Sequence, residues 1–187
     1  MCATHLHYTL WSLWLIYWLW RSWGNKKFAR HETLIVKTTY LAPLIAGVCL
    51  LLPFPAFPAI FTIRFYETPV FLVWAGVLMT VVGLLLSVWA RHCLAGNWSA
   101  FVSIKEAHVL VRTGPYALVR HPIYSGIFLA LVGGVITSGE IKGVVALVLI
   151  FFSFVYKINR EEEFMRSRFA DQYAAYQQTT KKLIPFM

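Results

Sequence analysis

The sequence is poor in charge and in cysteine. Only 13% of its 187 residues are Asp, Glu, Lys or Arg, whereas 59% are hydrophobic. A soluble domain carries roughly 25% charged residues, so this composition excludes an ordinary soluble fold. Cys2, Cys49 and Cys93 form no close pair, which excludes a disulfide framework and a cysteine metal site. Gly133-Gly134 lies inside an apolar run, so it indicates close helix packing and excludes a phosphate-binding loop.

What the sequence does have is long apolar blocks, and a helix needs about 20 residues to cross hydrocarbon. We therefore expect an all-α integral membrane protein with about five transmembrane helices, forming a single membrane domain over residues 1–187. The helices are predicted at about 4–20, 33–52, 68–90, 121–139 and 140–156. Thr68 and Pro69 are the expected N-cap and first residue of the third helix.

The last two predicted helices are joined by almost no loop, so we expect them to form a tight antiparallel hairpin. The fifth should continue beyond the membrane as an exposed helical tail through 161–163. Residues 1–96 then form the three N-terminal transmembrane helices, and residues 97–187 form the region that carries the chemistry.

The basic residues indicate how the chain is oriented. The first loop, the third loop and the C-terminal tail hold 14 of the 17 Lys and Arg residues. Because cytoplasmic loops are enriched in Lys and Arg, we expect the large loop and the tail in the cytoplasm and the N-terminus on the opposite side. Basic residues in such loops fit anionic lipid headgroups better than nucleic acid.

Polar residues concentrate in two segments, 108–124 and 157–171, and the hairpin should bring both to the cytoplasmic side. His121 lies at the start of the fourth helix, where free backbone N–H groups attract anions such as a carboxylate. Lys157 and Glu161 are four residues apart and share one helix face. Glu162 and Glu163 are expected to be solvated charges.

These segments resemble the isoprenylcysteine carboxyl methyltransferase family and the related membrane phospholipid methyltransferases over about residues 97–185. The resemblance rests on an ordered series of short motifs: Asn97-Trp98-Ser99, His108-Val109-Leu110-Val111, Gly114-Pro115-Tyr116, Arg120-His121-Pro122-Ile123-Tyr124-Ser125-Gly126, Glu161-Glu162-Glu163 and Leu183-Ile184-Pro185.

The resemblance implies an S-adenosylmethionine-dependent enzyme that methylates a lipophilic acceptor from the bilayer, most like the methyl esterification of a prenylcysteine carboxylate. The cofactor-binding residues it implies are His108, Val109, Leu110, Val111, Tyr116, His121, Pro122, Ile123, Tyr124 and Glu161. Lys157 and Glu161 are the implied catalytic residues, and Trp98 and Lys157 the implied substrate-binding residues. Two departures stand out: Phe101 occupies a position expected to be polar, and Lys157 replaces an arginine, which removes a bidentate grip on a carboxylate.

Other interpretations stay open at this point. A membrane reductase of the sterol type would use NADPH, and a non-catalytic membrane protein would keep the fold without turnover. Trp98 could be an interfacial residue in a helix exit turn, and Lys157 an interface anchor. A carboxylate acceptor is already ionised at pH 7, whereas an amine or thiol would need His121 or Glu161 as a proton sink. No metal is implied.

Overall fold

Five α-helices account for most of the residues that the structure describes. The computed structural model describes residues 2–22, 33–52, 63–95, 98 and 109–185. The helices are α1 (Cys2–Ser22), α2 (Leu34–Leu51), α3 (Val70–Leu94), α4 (Pro122–Ser138) and α5 (Ile141–Thr179), with a 3-10 turn at Gly114–Ala117 before α4. The described residues contain isolated β-bridges but no named strand, and the all-α prediction is confirmed.

The helices have the surfaces of an integral membrane protein. α2, α3 and α5 are each long and apolar enough to cross a membrane, and α4 is a shorter apolar helix of 17 residues. Large hydrophobic side chains point outward from them, among them Leu78 and Leu85, each 63% exposed. An outward apolar face is stable only against lipid or a partner, so these helices are membrane-embedded.

Glycine brings α3 and α4 into backbone contact. A Cβ atom on Gly83 would lie 2.4 Å from the carbonyl oxygen of Gly126, and one on Gly133 would lie 2.4 Å from that of Gly76. Nothing larger than hydrogen fits at these crossings, as in other membrane helix pairs joined through small residues. Gly133 is therefore confirmed as a packing residue.

α2 and α5 form the second closely packed pair. A Cβ atom on Gly47 would lie 2.7 Å from Cγ1 of Ile150, which is itself 1% exposed. The Ser153 hydroxyl donates to the carbonyl oxygen of Tyr40 at 2.7 Å. An interhelical hydrogen bond of this kind supports association where lipid offers no alternative partner.

The turn between α4 and α5 is as short as the sequence predicts. Gly139 ends α4 in the left-handed conformation, with φ of 64°, and α5 begins at Ile141. Beyond this turn, α4 and α5 contact each other far less than α4 contacts α3 or α5 contacts α2. The hairpin therefore joins two packed helix pairs and leaves a space between them.

Two helix boundaries differ from the prediction. Thr68 is not the N-cap of α3; Pro69 takes that position, because its extended backbone places its carbonyl to accept the N–H of Val73 at 3.1 Å. α3 also continues one turn past Ala90 to Leu94, which carries Arg91 into a fully buried position. The predicted extension of the last helix is confirmed, and it runs to Thr179 with a kink at Ala170.

Candidate active site

A cavity of about 880 Å³ occupies the space between the two helix pairs. Its walls come mainly from α1 and α4 on one side and from α2 and α5 on the other. Ten of the predicted site residues line it: Trp98, Val109, Leu110, Val111, Tyr116, His121, Ile123, Tyr124, Lys157 and Glu161.

Of the two remaining predicted residues, one does not line the cavity and the other is not described by the structure. Pro122, at the start of α4, is fully buried and is not among the cavity-lining residues. His108 lies outside the described residues, as do Asn97, Ser99 and Phe101.

The Glu161 carboxylate joins the two polar segments. Its Oε1 accepts a hydrogen bond from the Tyr124 hydroxyl at 2.5 Å, and its Oε2 lies 3.6 Å from Nδ1 of His121. The side chain of Glu161 is 22% exposed, so the carboxylate is held in place yet reachable from the cavity. The predicted convergence of segments 108–124 and 157–171 is confirmed.

Lys157 lies one helical turn before Glu161, also on the cavity wall. Its ammonium nitrogen is 5.5 Å from the ring centroid of Tyr40 and 5.7 Å from that of Tyr124. Cation–π contacts of this kind hold a positive charge in a largely apolar setting. The side chain of Lys157 therefore lies over the Tyr40 and Tyr124 rings beside the cavity.

Glu162 is not the solvated charge that the sequence analysis expected. It is 1% exposed, and its carboxylate accepts hydrogen bonds from Arg120 at 2.9 Å and Gln177 at 3.0 Å and lies 3.2 Å from Nε2 of His121. The expectation failed because adjacent residues on a helix point about 100° apart, and sequence alone does not show which face meets a partner. Glu163 is solvated as expected, and it forms an ion pair with Arg160.

The environment of Glu162 favours its ionised form. Burial by itself would raise the pKa of this carboxyl, but the hydrogen bond and charge of His121, together with Arg120, lower it to about 2. Glu162 lies beyond the apolar stretch of α5, which ends near Tyr156. At neutral pH it is therefore a fixed negative charge behind the imidazole of His121.

The C-terminal tail closes over the start of α4, a contact that no sequence motif indicated. The backbone N–H groups of Arg120 and His121 donate to the carbonyls of Lys181 and Lys182 at 2.8 and 3.1 Å. The Ser125 hydroxyl donates to the carbonyl of Leu183 at 2.5 Å. Because the tail takes these donors, an anion at this helix terminus would meet the N–H groups of Ile123 and Tyr124, which have no intrahelical partner.

The tail also fixes the turn at Gly114–Ala117. The Tyr176 hydroxyl donates to the carbonyl of Tyr116 at 2.5 Å, and both side chains are almost fully buried. Burial raises the pKa of Tyr116 well above its ordinary value. Its phenol therefore stays protonated at neutral pH, as a neutral polar group on the cavity wall.

Trp98 belongs to an aromatic cluster that the sequence did not reveal. Its ring meets Trp18 of α1 edge to face at 5.5 Å, and the Arg91 guanidinium lies 4.5 Å from its centroid. Arg91 donates to the carbonyls of Arg21 and Ala95 at 2.8 and 2.7 Å, which ties the end of α1 to the end of α3. Only tertiary packing brings these distant residues together, so spacing could not predict the cluster.

The chain combines an apolar helix bundle with a polar, charge-bearing pocket at one end. These features define a membrane protein with a candidate active site. Comparisons with known proteins identify its family. The profile of the phospholipid methyltransferase family matches residues 71–172, more than half of the chain. The chain therefore belongs to the phospholipid methyltransferase family.

Individual relatives agree with the family. Protein-S-isoprenylcysteine O-methyltransferase B of Arabidopsis thaliana is 30% identical over 115 residues, covering 60% of this chain and 58% of the relative. The Saccharomyces cerevisiae protein-S-isoprenylcysteine O-methyltransferase is 29% identical over 115 residues, covering 60% of this chain and 48% of the relative.

A solved structure extends the likeness to the fold. It is that of the eukaryotic intramembrane Ras methyltransferase, an isoprenylcysteine carboxyl methyltransferase, with a TM-score of 0.54 and 26% identity. The match covers 81% of this chain and 51% of that one. The chain thus spans about half the length of the relatives it matches.

Proposed function

We propose that this protein transfers the methyl group of S-adenosylmethionine to a lipophilic carboxylate, most like that of a prenylcysteine. The observation that carries the proposal is the position of Glu161. It is held by Tyr124 and His121 at the polar end of a cavity that continues as an apolar space between membrane helices. Membership of the phospholipid methyltransferase family supports the same chemistry.

The residues at this end of the cavity fit the chemical groups of S-adenosylmethionine. The carboxylate of Glu161 suits an ammonium or a ribose hydroxyl, and the N–H groups of Ile123 and Tyr124 suit a carboxylate. The apolar side chains of residues 109–111 and the ring of Tyr116 provide surface for the adenine base. When bound, the cofactor supplies an electrophilic methyl group on a sulfonium, which is already a good leaving group.

The protein's own contribution is positioning and the exclusion of water. Lys157 places a positive charge on the wall next to Glu161, where it would attract and orient an acceptor carboxylate. A carboxylate is ionised at pH 7, so the site needs no general base for it. The apolar walls keep water from the acceptor, which strengthens its electrostatic contacts and leaves the nucleophile poorly solvated. Trp98 would border the acceptor on the α1 side.

The proposal includes an orientation in the membrane. The site and the C-terminal tail would face the cytoplasm, and the N-terminus would lie on the opposite side. Its support is the concentration of 14 of the 17 Lys and Arg residues in the loops and tail on the side of the site. The cofactor would then enter from the cytoplasm and the acceptor from the bilayer.

Calorimetric titration of the detergent-purified chain with S-adenosylmethionine and, separately, with NADPH tests the cofactor. We expect saturable binding of S-adenosylmethionine alone, weakened at least tenfold in Glu161→Gln and unchanged in the control Glu163→Gln. Binding of NADPH alone would point to a reductase. Binding of neither by folded protein would point to a non-catalytic role, and equal binding by Glu161→Gln would remove Glu161 from the site.

A transfer assay then tests the acceptor. Radiolabelled methyl groups from S-adenosylmethionine should appear as a base-labile ester on N-acetyl-S-farnesylcysteine. Cofactor binding without transfer to this acceptor would keep the methyltransferase but exclude the prenylcysteine carboxylate.

A further inference from the structure

The cavity extends far beyond Glu161. On α5 its lining passes from Glu161 through Phe154 and Ile150 to Lys142, a rise of about 28 Å along the helix axis. The stretch between these two residues is lined mostly by apolar side chains of α1, α2, α4 and α5. We therefore treat it as an elongated channel suited to a hydrocarbon chain.

One wall of this channel is aromatic and comes from α1. Trp11 meets Trp14 edge to face at 5.5 Å, and Trp14 stacks on Trp18 at 4.5 Å. Trp18 in turn meets Trp98 near the polar end. All four line the cavity, and α1 lies outside the residues that match the family. The aromatic wall is therefore built mainly by α1, a helix that lies outside the residues matching the family.

The end of the channel opposite Glu161 is polar again. Thr137, Glu140 and Lys142 line it, and the Lys142 ammonium lies 3.0 Å from the Glu140 carboxylate. Along α4, the distance from Tyr124 to Thr137 is about 20 Å. A hydrocarbon chain gains nothing by entering the polar end, because burying polar groups against it costs free energy. The apolar part of the channel therefore has a finite length.

Within that apolar part, Gly134 of α4 faces His7 of α1. A Cβ atom on Gly134 would lie 3.7 Å from Cδ2 of His7, and both residues line the cavity. His7 is held by a 2.9 Å hydrogen bond between its Nε2 and the Thr80 hydroxyl. Gly134 is about 15 Å along α4 from Tyr124. A methyl group would fit here in ordinary van der Waals contact, but a larger side chain would project into the channel.

We propose that Gly134, opposite His7, leaves the room that lets the hydrocarbon chain of the methyl acceptor extend past this point toward the polar end, and that it thereby determines how long a chain the acceptor can carry. The inference rests on the proposed function, because the acceptor is taken to place its carboxylate at Lys157 and its chain along the tryptophans. It adds a specificity-determining residue that lies well away from the reacting groups.

The test compares acceptors that differ by one isoprene unit: N-acetylcysteine carrying a geranyl, farnesyl or geranylgeranyl chain. In Gly134→Leu we expect kcat/KM for the geranylgeranyl acceptor to fall at least tenfold relative to the geranyl acceptor. Affinity for S-adenosylmethionine should not change. Gly134→Ala should lower kcat/KM for the geranylgeranyl acceptor relative to the geranyl acceptor in the same way, but to a smaller extent. Val144→Leu, at a half-exposed position on α5, is the control and should leave the profile unchanged.

Acceptor binding provides a second readout that needs no methyl transfer. Three tryptophans of α1 line the channel, so chain binding should change the tryptophan fluorescence. A wild-type chain-length profile retained by folded Gly134→Leu, or an equal loss for all three acceptors, would overturn the assignment. If the wild type binds S-adenosylmethionine but none of the three acceptors, the channel assignment fails and the cofactor site stands.

Discussion

Glu162→Gln should destabilise the protein strongly, because the change removes a buried negative charge and leaves its partners in place. The Glu162 carboxylate is 1% exposed, and side-chain nitrogens of Arg120, His121 and Gln177 lie within 3.2 Å of its oxygens. A carboxylate accepts hydrogen bonds on both oxygens, whereas the amide nitrogen of glutamine would face a donor. Losing one member of a buried charge pair costs about 3–5 kcal/mol.

For a chain of this size, that loss corresponds to a fall in Tm of roughly 6–20 °C. The assay is thermal unfolding in detergent, followed by intrinsic fluorescence, for the wild type, Glu162→Gln and Glu163→Gln. Glu163 is the matched control, because its side chain is 55% exposed and its ion pair with Arg160 lies at the surface, where such pairs contribute about 0–1 kcal/mol. Equal unfolding temperatures for the two variants would refute the reasoning.

Three further predictions concern turnover, helix packing and acid stability. Lys157→Ala should leave S-adenosylmethionine affinity unchanged in calorimetry and lower kcat for a carboxylate acceptor at least tenfold, with partial recovery in Lys157→Arg; a loss of cofactor binding would move Lys157 to the cofactor site. Gly83→Val should abolish the monodisperse peak in size-exclusion chromatography, since even its Cβ would lie 2.4 Å from a backbone oxygen of α4, and a normal peak would contradict the packing. Because the pKa of Glu162 is lowered from 4.5 to about 2, its stabilising contribution is fully present above pH 4.5 and is lost as the pH falls to 2; Glu162→Gln should lack this part of the acid-unfolding profile.

The sequence predicted those features that depend on helical periodicity and on chain connectivity. Apolar blocks located the helices, and the short turn at Gly139 implied that the start of α4 and the end of the apolar stretch of α5 lie together. From that alone, segments 108–124 and 157–171 were expected to converge, and the 3.6 Å separation between His121 and Glu161 agrees with this. Lys157 and Glu161 line the same cavity, as their spacing predicted.

What the sequence could not predict depends on contacts between distant segments. The pairing of Lys181 and Lys182 with Arg120 and His121 involves backbone atoms, which carry no residue-specific pattern. The distinction between Glu161 in the cavity and Glu162 behind it requires the rotation of α5 about its axis. The place of Trp18 beside Trp98 requires the position of α1, whose amphipathic pattern is weak because nearly all its side chains are compatible with lipid.

The site exists because α4 and α5 are joined at both ends but packed against other helices in between. Gly139 connects them at one end, and the ion pair between Arg120 and Glu162 connects them at the other. Along the middle, Gly126 and Gly133 of α4 face α3, and α5 packs on α2 at Gly47. A helix that packs closely on one partner helix turns its small residues toward that partner, so its larger side chains face its other neighbouring helices. A channel therefore remains between α4 and α5, and the polar connection at its end places Glu161 where an apolar chain and a charged cofactor can meet.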